Sequence, residues 1–362
     1  MILLGKHMRA YDILSLLRDK DVSFRTIQHG LTHNGLASAK GWEAALDYYN
    51  EIYDSESDEI VKNLYLSQLY YGKRTVYFRS LSDVNDKNVK NTVDVINRIF
   101  TTSKHKDIKT YKNSYPYILD NKSLFNLKLN NPCPVHIDDN ANEIRVVMTY
   151  PRAYKQRDTF DINDIDFDGN QPKQLDGYEE IIGIKSGRAQ SFDSILFNKL
   201  NGVLQIQIDH SRNIINEEID NANLRYWNMI SNEFNTWLKI QSPFKKINLF
   251  DKINELYVSG DGLINTLSHS TGTGSVKKER MRRRDEDLRR EKFHQVGLQA
   301  INGDTNNYNI TKQWDGECGT ALKLTIDAGV AAISQSNPTV NCAIIEGCIT
   351  ESDFNFLVSK VI

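Results

Sequence analysis

Residues 277–284 read Lys-Lys-Glu-Arg-Met-Arg-Arg-Arg, six cations and one carboxylate in eight positions. Extended to Lys292, the segment holds nine basic and five acidic residues, a net charge of +4 in a chain whose total is -2. The remaining residues therefore sum to -6, and the chain carries a local positive field on an acidic body. Such a segment is suited to phosphate, which is drawn by Coulomb attraction and counterion release and is gripped by the planar guanidinium fork. Lys277, Lys278, Arg280, Arg282, Arg283, Arg284, Arg289 and Arg290 are the candidate nucleic-acid contacts. The preceding Ser-His-Ser-Thr-Gly-Thr-Gly-Ser stretch has no core-forming residue and reads as a loop whose N–H groups would also suit phosphate.

The same segment has a plainer reading. Glu279 with Arg283, Arg282 with Glu286, Arg283 with Asp287, Asp285 with Arg289, and Glu286 with Arg290 are spaced i,i+4. These pairs predict a solvated helix over about 276–296, each contributing about 0.2–0.5 kcal/mol. The cations then crowd its N-terminal end, against the helix dipole.

Other constellations are thinner. Asp164, Asp166 and Asp168, followed by Gly169, match the first half of a calcium loop, but Leu175 occupies the closing position that needs a glutamate. An EF-hand is excluded; an irregular divalent-cation site on these three carboxylates is retained as an expectation. Asp209-His210 closes an expected strand, and His136 stands near Asp138 and Asp139. Either pairing suits a metal or a general base, though a hydrogen-bonded structural pair is the simpler reading. Asp107-Ile-Lys109 and Asp120-Asn-Lys122 have the acidic-x-Lys ending of nuclease metal sites, without the buried carboxylate strand that should precede it. Tyr65, Tyr70, Tyr71, Tyr77 and Phe78 lie beside Lys73, Arg74 and Arg79, an arrangement that stacks bases or, more simply, fills space under a sheet. There is no GxxxxGK[ST], no GxGxxG after a strand, no GxSxG and no HExxH.

The elements that must position these residues are mixed. The 362-residue chain is 40% hydrophobic and 25% charged, which excludes wholesale disorder and a uniformly basic binder. No apolar run approaches a membrane span, and four scattered cysteines fit a reducing cytoplasm better than a disulfide framework. Periodicity predicts helices over most of 8–115, with a strand at 75–81. A helix-turn-helix reading around Asn34-Gly35 is disfavoured, because residues 43–59 carry seven acids and no lysine or arginine. Strands follow at 143–150 and 178–185, and a hairpin at 194–209 turns on Asn201-Gly202. A long helix spans about 213–240, and a shorter one carries Ile247, Phe250, Ile253 and Leu256. Strands at 322–326 and 342–346 precede a final helix with a Thr350/Asp353 capping box.

The expected fold is α+β: a helical segment 1–115, a central antiparallel sheet with long helices over 116–267, and a basic helix with a small mixed segment over 268–362. The expected function is a non-catalytic nucleic-acid-binding or regulatory subunit, with no membrane partner and no obligatory cofactor. Heavy use of Asn, Ile, Lys and Tyr suggests a bacterial or phage gene, with anti-phage defence as a conjectured context. The alternatives are a metal-dependent phosphodiester-cleaving enzyme using Asp164, Asp166, Asp168 or Asp209, and a scaffold whose charged helix docks an acidic protein.

Overall fold

The computed structural model describes residues 8–167, 172–211 and 214–362. Four helices lead: α1 (Ala10–Asp19), α2 (Phe24–His33), α3 (Trp42–Glu51) and α4 (Ser55–Tyr71). Strand β1 (Arg74–Leu81) follows, then α5 (Asp86–Thr101), α6 (Ile108–Ser114) and α7 (Asn121–Phe125). The central part is β2 (Cys133–Asp139), β3 (Glu143–Asp161), β4 (Glu180–Asn198), β5 (Val203–Asp209) and α8 (Asn216–Thr236). Beyond it come β6 (Phe244–Lys246), α9 (Phe250–Val258), β7 (Leu263–Thr271), β8 (Val276–Arg280) and α10 (Lys292–Ala300). The chain closes with β9 (Thr305–Asp315), β10 (Ala321–Asp327), β11 (Cys342–Glu346) and α11 (Glu351–Ser359). The α+β expectation holds.

All the strands join one antiparallel sheet in the order β2-β3-β4-β5-β1-β11-β10-β9-β7-β8, with β6 also pairing β1. Each half of the sheet is built by period-2 alternation. In β10, Leu322, Leu324 and Ile326 are buried while Lys323 and Thr325 turn the other way. Over β3, β4, β5 and β1, one face (Val146, Met148, Ile195, Phe197, Leu204, Ile206) packs on Val95, Ile96 and Ile99 of α5 and Tyr226 and Ile230 of α8. The opposite face of that half, through Cys133, Val147 and Phe192, packs on α1, α2 and α4. In the other half, Leu267, Ile310, Leu324 and Ile345 pack on Ile253 of α9 and on Phe354 and Leu357 of α11. Among the described residues, one quadrant has no apolar layer packed on it: the side of β7, β9, β10 and β11 that carries Thr266, Thr311, Thr325 and Lys323. This face positions the site.

Three local expectations are corrected. The hairpin between β4 and β5 forms, but its loop spans four residues rather than Asn201-Gly202 alone. Gly202 N–H donates to the Asn198 carbonyl, and of the pair only Gly202 has a positive φ (69°). The stretch read as a loop at 268–275 is strand as far as Thr271, with Ser268, His269 and Ser270 buried. The charged helix over 276–296 is absent. Its first part is strand β8, paired to β7 through Ser268↔Lys278 and Thr266↔Arg280; a single 3-10 turn follows at Leu288–Arg290, and α-helix begins only at Lys292. The reason is energetic: exposed i,i+4 pairs contribute tenths of a kcal/mol, whereas the hairpin satisfies backbone groups and buries the alternate residues Glu279 and Met281 partly beneath the strand. Elsewhere the capping box at Thr350 and Asp353 is present as expected.

Candidate nucleic-acid interface

The uncovered quadrant presents rows of polar side chains across its strands. One row runs Arg280, Thr266, Thr311 and Thr325, fixed by the pairings Thr266↔Arg280, Thr266↔Thr311 and Thr325↔Thr311. The Thr311 and Thr325 hydroxyls are hydrogen-bonded to each other at 2.9 Å. A neighbouring row places Gln313 beside Lys323, and Lys323 beside Glu346. A cavity of about 500 Å³ opens over these rows, lined by Lys278, Arg280, Arg282, Arg284 and Lys323 with Glu346 the one carboxylate among its lining residues. Its floor includes Asn309 and Thr311.

The arginine loop after β8 is held over this floor by its backbone. The Arg284 carbonyl accepts from Asn265 Nδ2 and from Gln313 Nε2, both at 3.2 Å, and Met281 N–H donates to the Asn265 carbonyl at 2.8 Å. Those anchors fix the loop while leaving the guanidinium groups of Arg282 and Arg284 exposed. Among the described residues, no carboxylate lies within ion-pair distance of Lys278, Arg280, Arg282 or Arg284. Desolvated or paired cations attract phosphate less; these are neither.

The eight sequence-predicted cations do not form one set. Lys278, Arg280, Arg282 and Arg284 converge on the polar face, whereas Arg283 meets Glu286 at 3.4 Å on the surface. Lys277 turns to the other side of β8, where its Nζ stands 6.0 Å from the Phe293 ring centre. Arg289 is a brace: its guanidinium donates to Asp287 at 2.7 Å and to the carbonyls of Ser259 and Gly262. Arg290 lines a separate depression with Trp314 and Asp315.

Lys323, Asn309, Thr311 and Thr325 were not singled out by sequence reasoning. The alternation in β10 was legible, but nothing local says that its polar side would be left uncovered. Around the strand ends, the face continues into a second cleft of about 770 Å³, and the two share Arg284, Lys323 and Glu346. Lys20, Arg25, His29, Lys73, Asp209, His210 and Asp315 also line it. Its charge is mixed, and Glu346 lies between Lys73 (3.7 Å) and Lys323 (3.5 Å).

Asp209 and His210 both reach this cleft, but they do not pair with each other. The Asp209 carboxylate is buried on Lys20 Nζ at 3.0 Å and accepts N–H bonds from Phe192 and Ser211. Burial pushes its pKa up, yet the Lys20 and Arg74 charges and those hydrogen bonds outweigh burial and hold it well below the usual carboxylate range. The His210 imidazole is lowered to about 4 by burial and by neighbouring Lys73, so it is neutral near pH 7; its Nδ1 lies 3.0 Å from Thr75 Oγ1. His136 binds Asp138 at 2.9 Å on the surface, and Asp139 binds Lys199. Most of the tyrosine cluster fills space: Tyr65, Tyr77 and Phe78 are buried, as are Arg74 and Arg79, while Tyr70 and Tyr71 are half-buried and Lys73 is exposed.

The carboxylates proposed for a cation site are distant from this region. Asp164 and Asp166 lie at the far end of the ribbon formed by β3 and β4, and Asp168 falls outside the described residues. Asp161 is nine residues along β3 from Arg152, whose Nη1 touches the Asp209 carbonyl; that is roughly 30 Å of extended strand. The structure therefore does not bring Asp164 or Asp166 to Asp209. Among the described residues, no group of three or more His, Cys, Asp or Glu side chains is placed to hold a metal ion. No helix among them is long and apolar enough to cross a membrane. Neither a scan against protein-family models nor a search of curated proteins finds a match to this chain.

Proposed function

We propose that this chain binds nucleic acid without cleaving it, laying a sugar–phosphate backbone across the uncovered face of β7 to β10. The observation that carries the reading is the convergence of Lys278, Arg280, Arg282, Arg284 and Lys323 on one polar cavity with Glu346 as its single lining carboxylate. Five cations around a shallow face suit successive phosphates. The hydroxyl and amide floor of Thr311, Thr325 and Asn309 suits sugar and base edges between them. The reading assumes a reducing compartment such as the cytoplasm, where the four cysteines, Cys133, Cys318, Cys342 and Cys348, stay free.

The test is the triple reversal Arg280→Glu, Arg282→Glu, Arg284→Glu, measured by fluorescence anisotropy on single-stranded and duplex DNA and RNA across a salt series. Loss of three phosphate contacts lowers the slope of log K against log salt by about 2 to 3 and weakens binding by at least about tenfold at low salt. Wild-type binding that is absent at low salt, or a variant with the same affinity and the same slope, removes the proposal.

A further inference from the structure

Among the described residues four arginines are buried: Arg74, Arg79, Arg145 and Arg152. Three of them have partners. Arg74 donates to the carbonyls of Leu69, Tyr70 and Phe192, and Arg152 to Asp193, Tyr150 and the Asp209 carbonyl. Arg145 meets Glu143 at 3.4 Å. Arg79, 3% exposed near the end of β1, has none. Among the described residues its guanidinium has no hydrogen-bond acceptor and no carboxylate within ion-pair distance, and its Nε is fully enclosed without a partner. The α8 carboxylates that flank Trp227 in sequence are engaged elsewhere: Asp220 accepts from Tyr77 Oη, and Glu233 pairs with Arg98.

What Arg79 does meet is Trp227, whose ring centre lies 3.7 Å from the guanidinium carbon. Stacking uses the flat face of the guanidinium and leaves its in-plane N–H donors unused. Burial lowers the Arg79 pKa to about 10 with no neighbouring acid to raise it, so the group is still a cation at neutral pH. A buried charge without a counter-ion is costly, and buried charges in stable folds are paired.

A second cation stands beside it. Strand β6 pairs with β1 beyond the last pairing of β1 with β11, and the register sets Lys246 directly opposite Arg79. Residues so opposed project to one face with Cβ atoms about 5 Å apart, and like charges there repel. Among the described residues Lys246 also has no carboxylate within ion-pair distance. It is exposed and Trp227 is half-buried, so the guanidinium sits just beneath the surface at this edge.

We infer that Arg79 and Lys246 form an anion site that takes a phosphate group, held by the guanidinium fork against Trp227 and by the lysine ammonium. A phosphate dianion answers both anomalies at once: it gives the buried guanidinium acceptors and neutralises the repulsion across the strand pair. The site is separate from the cationic face at β8, since β11, β10, β9 and β7 lie between β1 and β8 in the sheet. It does not depend on nucleic-acid binding.

The experiment is thermal denaturation and calorimetric titration of the full chain in phosphate-free buffer, with inorganic phosphate, adenosine monophosphate or acetate added at constant ionic strength. The expected result is a Tm that rises progressively with one or both phosphate compounds up to about 10 mM, and not with acetate. The compound that binds more tightly identifies the source of the group, free phosphate or a phosphomonoester. Arg79→Met removes the response, and Lys246→Ala weakens phosphate binding by about fivefold or more. Lys246 is exposed, so its replacement leaves the fold intact and decides the matter even if Arg79→Met does not fold. The reversal Arg280→Glu, Arg282→Glu, Arg284→Glu keeps the whole response, which separates this site from the nucleic-acid face. A chain that responds to neither phosphate compound, an equal response to acetate, a response undiminished in Lys246→Ala or folded Arg79→Met, or one lost in the triple reversal overturns the inference.

Discussion

Lys20, at the end of the first helix, reaches Asp209, at the end of β5, with Nζ and Oδ2 3.0 Å apart and both side chains about 5% exposed or less. The pair ties the helical N-terminal layer to the sheet across 189 residues of sequence and forms part of the wall of the larger cleft. A buried ion pair contributes little relative to an apolar replacement of both partners, but losing one partner strands the other charge. Asp209→Ala is therefore expected to destabilise the chain by about 3–5 kcal/mol, read by chemical denaturation. The double change Lys20→Met with Asp209→Leu should recover part of that loss.

The same carboxylate sets a pH dependence. Its folded-state pKa lies below the unfolded value, so its stabilisation is complete above the ordinary carboxylate pKa and fades as pH falls through the folded one. Denaturation midpoints should hold from pH 7 to about 5 and decline below about 4. The Asp209→Asn chain should start less stable and decline less steeply over the acid range; parallel curves would count against this account.

Glu279 links β8 to α10. Its carboxylate accepts from His269 Nε2 at 2.7 Å and from His294 Nδ1 at 3.1 Å, and His294 Nε2 meets Tyr257 Oη at 2.9 Å. Burial raises the Glu279 pKa, but the two imidazole hydrogen bonds prevail and lower it. Glu279→Ala leaves two buried rings without their acceptor and is expected to cost about 2–3 kcal/mol. Amide exchange at residues 277–280 should accelerate in that variant more than exchange in β1 or β5, and a uniform acceleration would contradict the local role.

Single phosphate contacts can be separated from the arginine brace. Lys278→Ala and Arg280→Ala should each lower the salt slope of nucleic-acid binding by about 1 with no change in the denaturation midpoint. Arg289→Ala should do the reverse, leaving the slope and destabilising the fold, because its guanidinium holds Asp287 and the carbonyls of Ser259 and Gly262.

Two glycines with left-handed backbones should respond unequally to alanine. At Gly347 (φ +90°) a Cβ would fall 2.1 Å from the Ala321 carbonyl oxygen, whereas at Gly274 (φ +85°) it would meet nothing within 4 Å. Gly274→Ala carries only the left-handed penalty of about 1–2 kcal/mol; Gly347→Ala adds a backbone clash and should cost several kcal/mol more in thermal or chemical denaturation.

Short-range pattern sufficed for much of the architecture. The alternation of 322–326, the capping box at Thr350 and the apolar stripe of Val93, Ile96 and Phe100 specify β10, α11 and α5 from neighbouring residues alone. The charge segregation at 277–284 is likewise a property of composition along the chain. Secondary structure at 277–284 was not legible, because the i,i+4 pairs that favour a helix there are weak, and the strand is selected only when β7 supplies hydrogen-bond partners and His269 and His294 claim Glu279. Which cations stay unpaired and which gather on one face was decided only by tertiary structure: Arg289 closes on Asp287, Arg282 and Arg284 meet no carboxylate among the described residues, and Lys323, more than thirty residues further on, is brought to the same cavity while paired to Glu346. Sequence sets what each segment is able to bury or expose; long-range pairing sets which of those faces finds a cover, and the face left without one became the site.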